Sequence, residues 1–204
     1  MQTAAQAAPA TALPQIGQTF AGGFVSGFYI QDGKRYASIT APSGHELEGE
    51  WGEHGEKIDG AGSMTDSRAN TEAMAAAGSE LAKRVLALEI GGFNDWAIPA
   101  RDVQELQYRN LKPTDDANYC WGRDGENHHS VPAGELYTEE MPAQTTVEAF
   151  KVGAPEAFAP RWYWSSTQRS AYYAFYMHFE GGYQDISVKS DEFRVRPVRS
   201  VLID

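Results

Sequence analysis

"FAPRWYWSSTQRSAYYAFYMHFEGGYQ", residues Phe158 to Gln184, holds ten of the chain's 24 aromatic rings (9 Phe, 10 Tyr and 5 Trp). Within it "YYAFYMHF", residues 172–179, reads as a strand, because aromatic side chains suit a pleated, half-buried surface. Successive side chains on a strand point to opposite faces. One face then carries Tyr173, Phe175, Met177 and Phe179, apolar apart from one hydroxyl, and reads as core. The other carries Tyr172, Ala174, Tyr176 and His178, the rigid amphipathic rings of a binding surface. Gly181-Gly182 turns the chain into a second strand, "YQDISVKS". Arg161, Gln168, Arg169, Tyr183, Gln184 and Asp185 lie in turns beside the Tyr and His face. The candidate ligand-binding residues are therefore Arg161, Tyr172, Tyr176, His178, Tyr183, Gln184 and Asp185. They offer stacking rings and hydrogen-bonding groups to a glycan or a protein patch. A neighbouring subunit is an equally good occupant of that face.

Upstream, residues 20–51 have β texture. "GGFVSGFYI" and "KRYASITAP" are joined through Gln31-Asp32-Gly33, and Asp-Gly is a hairpin signal. The Gly- and Glu-rich stretch 44–63 reads as a surface loop with His45 and His54 solvated in it. Residues 63–90 predict one helix with Met74, Ala77, Leu81, Val85 and Leu88 as its buried stripe, capped by Asp66 or Asn70 and ended by Gly91-Gly92. A short strand over Trp96 to Ile98 leads to a second helix from Pro99, with Val103, Leu106 and Leu111 inward and Pro113 as its stop. Residues 114–142 are irregular and carry the adjacent pair His128-His129, which on a strand would face opposite ways. "TTVEAFKVG" predicts a short third helix with Thr145 or Thr146 as cap. "FRVRPVRSVLI" closes the chain as a strand with an edge or bulge at Pro197, which cannot donate to a ladder. The class is α+β: antiparallel sheets, two main helices and long irregular loops. The division is an Ala- and Pro-rich arm over 1–19, laid against a partner subunit, and one domain over 20–204.

Composition removes several functions. A net charge of −11 and a pI near 4.9 argue against a nucleic-acid partner, which needs Lys and Arg gathered on one face. No apolar run approaches the ~20 residues that span a bilayer, so membrane insertion is not expected. The start, "MQTAAQAAPATALPQ", lacks the basic and apolar regions of a secretion signal. Cys120 is the single cysteine, so an intrachain disulfide or a Cys-based zinc cluster is ruled out. Flanked by Tyr119 and Trp121, it reads as a buried, inert thiol. His45, His54 and the carboxylates around them match no metal-ligand spacing, and no cofactor is expected. The carboxylate pairs Asp115-Asp116 and Glu139-Glu140 lie in loops with no partner that would shift a pKa. Ser165, Ser166 and Thr167 lack the Gly elbow of a nucleophile. No catalytic residue is assigned.

"KRYASITAP", "MAAAGSELA", "GGFNDWAIPARDVQELQYRNLKP", "RWYWSSTQ", "FYMHFEGGYQ" and "RVRPVR", in that order over residues 20–203, resemble the DUF1566 (Lcl-type) family, most of all the versions carried by tailed bacteriophages and prophages. The resemblance implies a C-type-lectin-like fold and a virion protein of the phage receptor-binding, tropism-determinant-like kind. Its implied partners are a host surface receptor (glycan or protein, a pilus included), other virion proteins and further copies of itself, a trimer being favoured. The alternative role is structural: a head-decoration, tail or baseplate component whose same face makes subunit contacts. In the family "YWSST" is structural, so Trp164 is expected to fill the core while Ser165 and Ser166 satisfy loop backbone. Three departures matter. The sugar-binding Glu-Pro-Asn, Gln-Pro-Asp and Trp-Asn-Asp tripeptides of calcium-dependent lectins do not occur. One cysteine cannot supply the pair used by the formylglycine-generating enzymes of that fold. Ala100 stands where the second helix often has a Ser or Thr cap, a loss of about 1 kcal/mol.

Overall fold

The structure, a computed structural model, describes residues 13–203. Among these residues the fold is α+β, with nine strands in two sheets and three α-helices. The expected N-terminal arm lies largely outside the described residues. Its last part belongs to the domain, since Ile16 packs into the core and the Gly17 amide donates to the Val25 carbonyl at 2.8 Å.

The first sheet runs in the order β1 (Thr19–Phe20), β2 (Gly23–Gln31), β3 (Lys34–Thr40), β9 (Val198–Leu202). Asp32 and Gly33 turn β2 into β3 with φ of 50° and 74°, the paired positive angles of a type I′ hairpin. The second sheet has the order β4 (Leu47–Glu50), β8 (Glu192–Val195), β5 (Trp162–Gln168), β6 (Tyr173–His178), β7 (Tyr183–Val188). It is mixed rather than purely antiparallel, because β5 meets β8 in parallel at Tyr163 and Arg194. The expected single C-terminal strand is two. At Arg196-Pro197 the chain crosses from the second sheet to the first, and the Pro197 carbonyl still accepts from the Ala41 amide at 2.8 Å. The missing proline N–H is thus placed between the sheets, where no ladder needs it.

The predicted helix over 63–90 is also two, α1 (Ser67–Ala76) and α2 (Glu80–Leu86). Gly78 takes φ of 104° between them, and Ser79 caps α2 by accepting from the Ala82 amide while donating to the Trp51 carbonyl at 2.8 Å. Asp66 caps α1 as expected. Met74, Leu81 and Val85 are buried, whereas Ala77 and Leu88, at and beyond the ends of the two helices, are only half-buried. Gly91-Gly92 turns Ile90 back onto Phe93 rather than ending the helix. The third predicted helix reduces to a 3-10 turn, Glu148–Phe150. Thr145 spends its hydroxyl on the Asn110 carbonyl and the Val147 amide instead of capping an α-helix.

α3 (Arg101–Leu111) lies at the centre. Val103, Leu106 and Leu111 are buried as predicted, and so are Gln104, Gln107 and the charged Glu105. The amides tie α3 to both sheets. Gln104 Nε2 donates to the Tyr163 and Trp164 carbonyls at 2.9 Å each, and Gln107 Nε2 to Thr40 Oγ1 at 3.0 Å. Ala100 makes no side-chain cap. The orphan amides at this helix start are met from elsewhere. Ala100 N–H donates to Ser67 Oγ at 2.9 Å, Arg101 N–H to Thr167 Oγ1 at 3.0 Å, and Asp102 N–H to the Met64 carbonyl at 3.0 Å.

"YWSST" is built as expected. Trp164 is fully buried with its ring 4.3 Å from that of Phe193, and the Ser165 hydroxyl donates to the Phe175 carbonyl at 3.0 Å. Ser166 accepts from Asn70. Two other quoted motifs meet at one ion pair. Arg199 holds Asp95 through Nε and Nη2 at 2.7 and 2.8 Å, and its guanidinium lies over the Phe93 ring.

Candidate aromatic cleft

β6 separates two apolar clusters. Met177, with Phe179 just after the strand, joins Tyr108, Phe158 and Tyr163. Ala174 and Tyr176 pack toward Trp164 and Phe193. The predicted division of its two faces therefore needs correction. Tyr173 is 40% exposed rather than core, because it begins the strand beside a tight turn in which its carbonyl accepts from Arg169 and Ser170. Phe175 is half-buried under the Arg101 guanidinium. Ala174, assigned to the ligand face, is fully buried.

The hairpin register puts His178 between Trp162 on β5 and Tyr183 on β7, and Tyr176 opposite Asp185. Tyr176, His178, Tyr183 and Trp162 therefore rise from one patch of sheet. Over this patch the irregular segment brings Tyr119 and Trp121. It is pinned there by the Tyr119 amide donating to the Gly181 carbonyl at 2.8 Å, and by the Gln184 amide donating to Asp124 Oδ1 at 3.1 Å. The six rings enclose an open cleft of about 520 Å³. Neighbouring rings are tilted rather than coplanar: Tyr119 and Tyr183 at 5.4 Å and 50°, Trp162 and His178 at 5.7 Å and 47°, Tyr176 and Tyr183 at 6.4 Å and 64°. Tilted rings form walls, so several aromatic surfaces can meet one bound group.

Gly181 and Gly182 make this geometry possible. A Cβ at Gly181 would sit 2.7 Å from the Tyr119 ring; one at Gly182 (φ 74°) would sit 2.3 Å from the Tyr108 ring.

Three of the seven predicted site residues, Tyr176, His178 and Tyr183, line the cleft. Asp185 stands at its edge and accepts from the Tyr183 hydroxyl at 2.6 Å. That bond holds the proton on the phenol, whose pKa is pushed up to about 12. Burial lowers the His178 pKa, favouring the neutral imidazole, although Glu180 lies 3.8 Å away and pulls the other way. The remaining three sit elsewhere. Arg161 is exposed and lines an adjoining cleft with Glu48, Glu192 and Arg194. Tyr172 packs on His54 with ring centroids 5.1 Å apart. It is four residues from Tyr176, about 13 Å along an extended chain. Gln184 alternates away from Tyr183 and Asp185, and its Oε1 is buried with no hydrogen-bond partner, as is Oδ2 of the buried Asp124.

The sequence reading missed Tyr119, Trp121 and Trp162, which are 56%, 76% and 51% exposed. In the sequence Tyr119 and Trp121 stand only as the flanks of Cys120. In fact Cys120 is exposed, because the segment is held at Asn118 and Asp124 and bows outward between them. Two large aromatics in a Gly- and Asp-bearing loop were the available signal.

Among the described residues no group of three or more His, Cys, Asp or Glu could hold a metal ion, and no helix is long and apolar enough to cross a membrane. In comparisons with known proteins, no family model and no curated sequence matches this chain.

Proposed function

We propose that the chain is a C-type-lectin-like phage virion protein of the DUF1566 kind, and that the aromatic cleft is its contact with a receptor on the host surface. The observation that carries this reading is the exposure of Tyr119, Trp121 and Trp162 around a single cleft. Large apolar rings left in water at one place mark an interaction site, and rigid aromatics are the usual anchors of recognition. The ordered sequence motifs supply the phage context. Chemically the cleft stacks and hydrogen-bonds, and the protein acts as a binder rather than an enzyme.

The test is saturable binding of labelled full-length chain to a panel of bacterial strains. Trp162→Ala and Trp121→Ala, with melting temperature preserved, should abolish it, while Tyr172→Ala should not. Binding that survives both cleft substitutions would remove the cleft from the role.

A structural virion role has one observation of its own. β7 is an edge strand, paired within its sheet only to β6, and it borders the cleft. An open edge is a ready surface for joining copies. A chain that binds no strain and is found on the capsid lattice would favour that role.

A further inference from the structure

The lining of the cleft is six aromatic side chains, with no Lys or Arg among them. Two carboxylates stand at its edge, and the Arg161 guanidinium, directed to the adjoining cleft, is the cation whose charge reaches His178. Asp185 is bonded to Tyr183, and Glu180 lies 3.8 Å from His178. The chain as a whole carries −11. Arg161 and Arg194 belong to the adjoining cleft that shares Trp162, where Glu48 and Glu192 also lie and Arg194 pairs with Glu46 and Glu48. Ring faces carry negative quadrupole potential, so tilted indole and phenol walls backed by carboxylates attract positive charge and repel anions. An ammonium bearing several N–H groups would exchange its full water shell for the few phenol oxygens of Tyr119, Tyr176 and Tyr183, a net loss of hydrogen bonds. A methylated one has none to lose and matches the rings in apolar character.

On that basis we infer that the cleft of Tyr119, Trp121, Trp162, Tyr176 and Tyr183 is an aromatic cage for a quaternary ammonium group carried by the receptor. The inference rests on reading the cleft as the receptor site and specifies what enters it. The bound head loses water to the rings, its charge faces Asp185 and Glu180, and the cleft volume leaves room for the chain that carries it.

The test uses full-length protein and three probes: choline chloride, its neutral isostere 3,3-dimethylbutan-1-ol, and methyl glucoside. Ionic strength is matched, and binding is read by saturation-transfer NMR and tryptophan fluorescence. Choline should bind saturably, and the neutral isostere at least about fivefold more weakly, since loss of charge removes the cation–π attraction. Trp162→Leu and Trp121→Leu should each weaken choline by about tenfold when a desolvated ring contact is lost, whereas Tyr172→Leu should leave it unchanged. Equal binding of choline and its isostere would overturn the cage, as would saturation by the glycoside but not by choline. The two readings fail separately. Host binding lost in the cleft variants but not inhibited by choline overturns the cage and keeps the receptor site. Choline binding alongside host binding that ignores the cleft variants overturns the receptor site.

Discussion

The Tyr183 hydroxyl donates to Asp185 Oδ2 at 2.6 Å, two residues along the same strand and on the same face. This local bond fixes a ring of the cleft and places a carboxylate at its edge. Ionising Tyr183 would break this hydrogen bond and set two negative charges together, which is why its pKa rises to about 12. In Asp185→Asn the Tyr183 phenol should titrate closer to its ordinary value of 10. Ultraviolet difference titration against Tyr183→Phe measures this, and an unmoved titration would show that the carboxylate is not the cause.

Gly181 and Gly182 should respond differently to alanine. At Gly182 the new methyl group meets the buried Tyr108 ring at 2.3 Å with φ already positive, and overpacking of this kind costs about 1–3 kcal/mol. At Gly181 it meets Tyr119, which is half-exposed and can swing away. Urea denaturation should therefore show a large loss for Gly182→Ala and a small one for Gly181→Ala. Ligand or host binding should fall in Gly181→Ala, because Tyr119 has moved out of the cleft.

His178 should make the fold sensitive to acid. Burial lowers its pKa below the ordinary 6.5, so the unfolded chain binds a proton on this residue more readily than the folded one. Its contribution to stability is complete above the unfolded value and is lost as pH falls from about 6.5 through the lowered folded value. His178→Gln should flatten this part of the stability–pH curve relative to the parent chain, measured by denaturant midpoints between pH 7 and 5. Identical slopes in the two proteins would contradict it. Protonated His178 would also repel a cationic ligand, so choline binding should weaken over the same pH range.

Glu105 is fully buried and held by Arg109 Nε at 2.8 Å, the Tyr137 hydroxyl at 2.6 Å and Asn127 Nδ2 at 2.7 Å. The bonds from Tyr137 and Asn127 fasten the irregular segment to α3, while Arg109, one turn along α3 itself, supplies the counter-charge. Arg109→Met leaves the carboxylate without its counter-charge and should cost about 3–5 kcal/mol. Tyr137→Phe removes one neutral donor and should cost about 1–3 kcal/mol. Chemical denaturation gives both values. Equal losses would mean that Arg109 acts through packing against Tyr137 rather than through charge.

Local signals were legible where one residue type decides a backbone conformation. Asp32-Gly33 made its hairpin, Asp66 capped its helix, and the alternation in "YYAFYMHF" placed Met177 and Phe179 inward. Gly78-Ser79 was equally local: a left-handed residue followed by a cap, which an unbroken apolar stripe through Ala77 and Leu81 concealed. Burial of Gln104, Glu105 and Gln107 was hidden, because a polar side chain reads as exposed until its distant partner is known. Thr40, Tyr163, Tyr137 and Asn127 are those partners, and they come from β3, β5 and the irregular segment, all distant in sequence from α3 or separated from it by loops.

The same distinction divides the site. Strand period and a Gly-Gly turn are local properties, so the residues alone specify an α+β chain whose C-terminal hairpin carries Tyr176, His178, Tyr183 and Asp185. Which rings share a cleft follows from how distant segments pack. Trp162 enters through β5–β6 register, while Tyr119 and Trp121 arrive on a segment pinned by Gly181 and Asp124. Tyr172 is excluded by about 13 Å of extended strand. Proximity between residues 119 and 183 is set by long-range hydrogen bonds and by glycines that let a ring approach the backbone, and no sequence period encodes it.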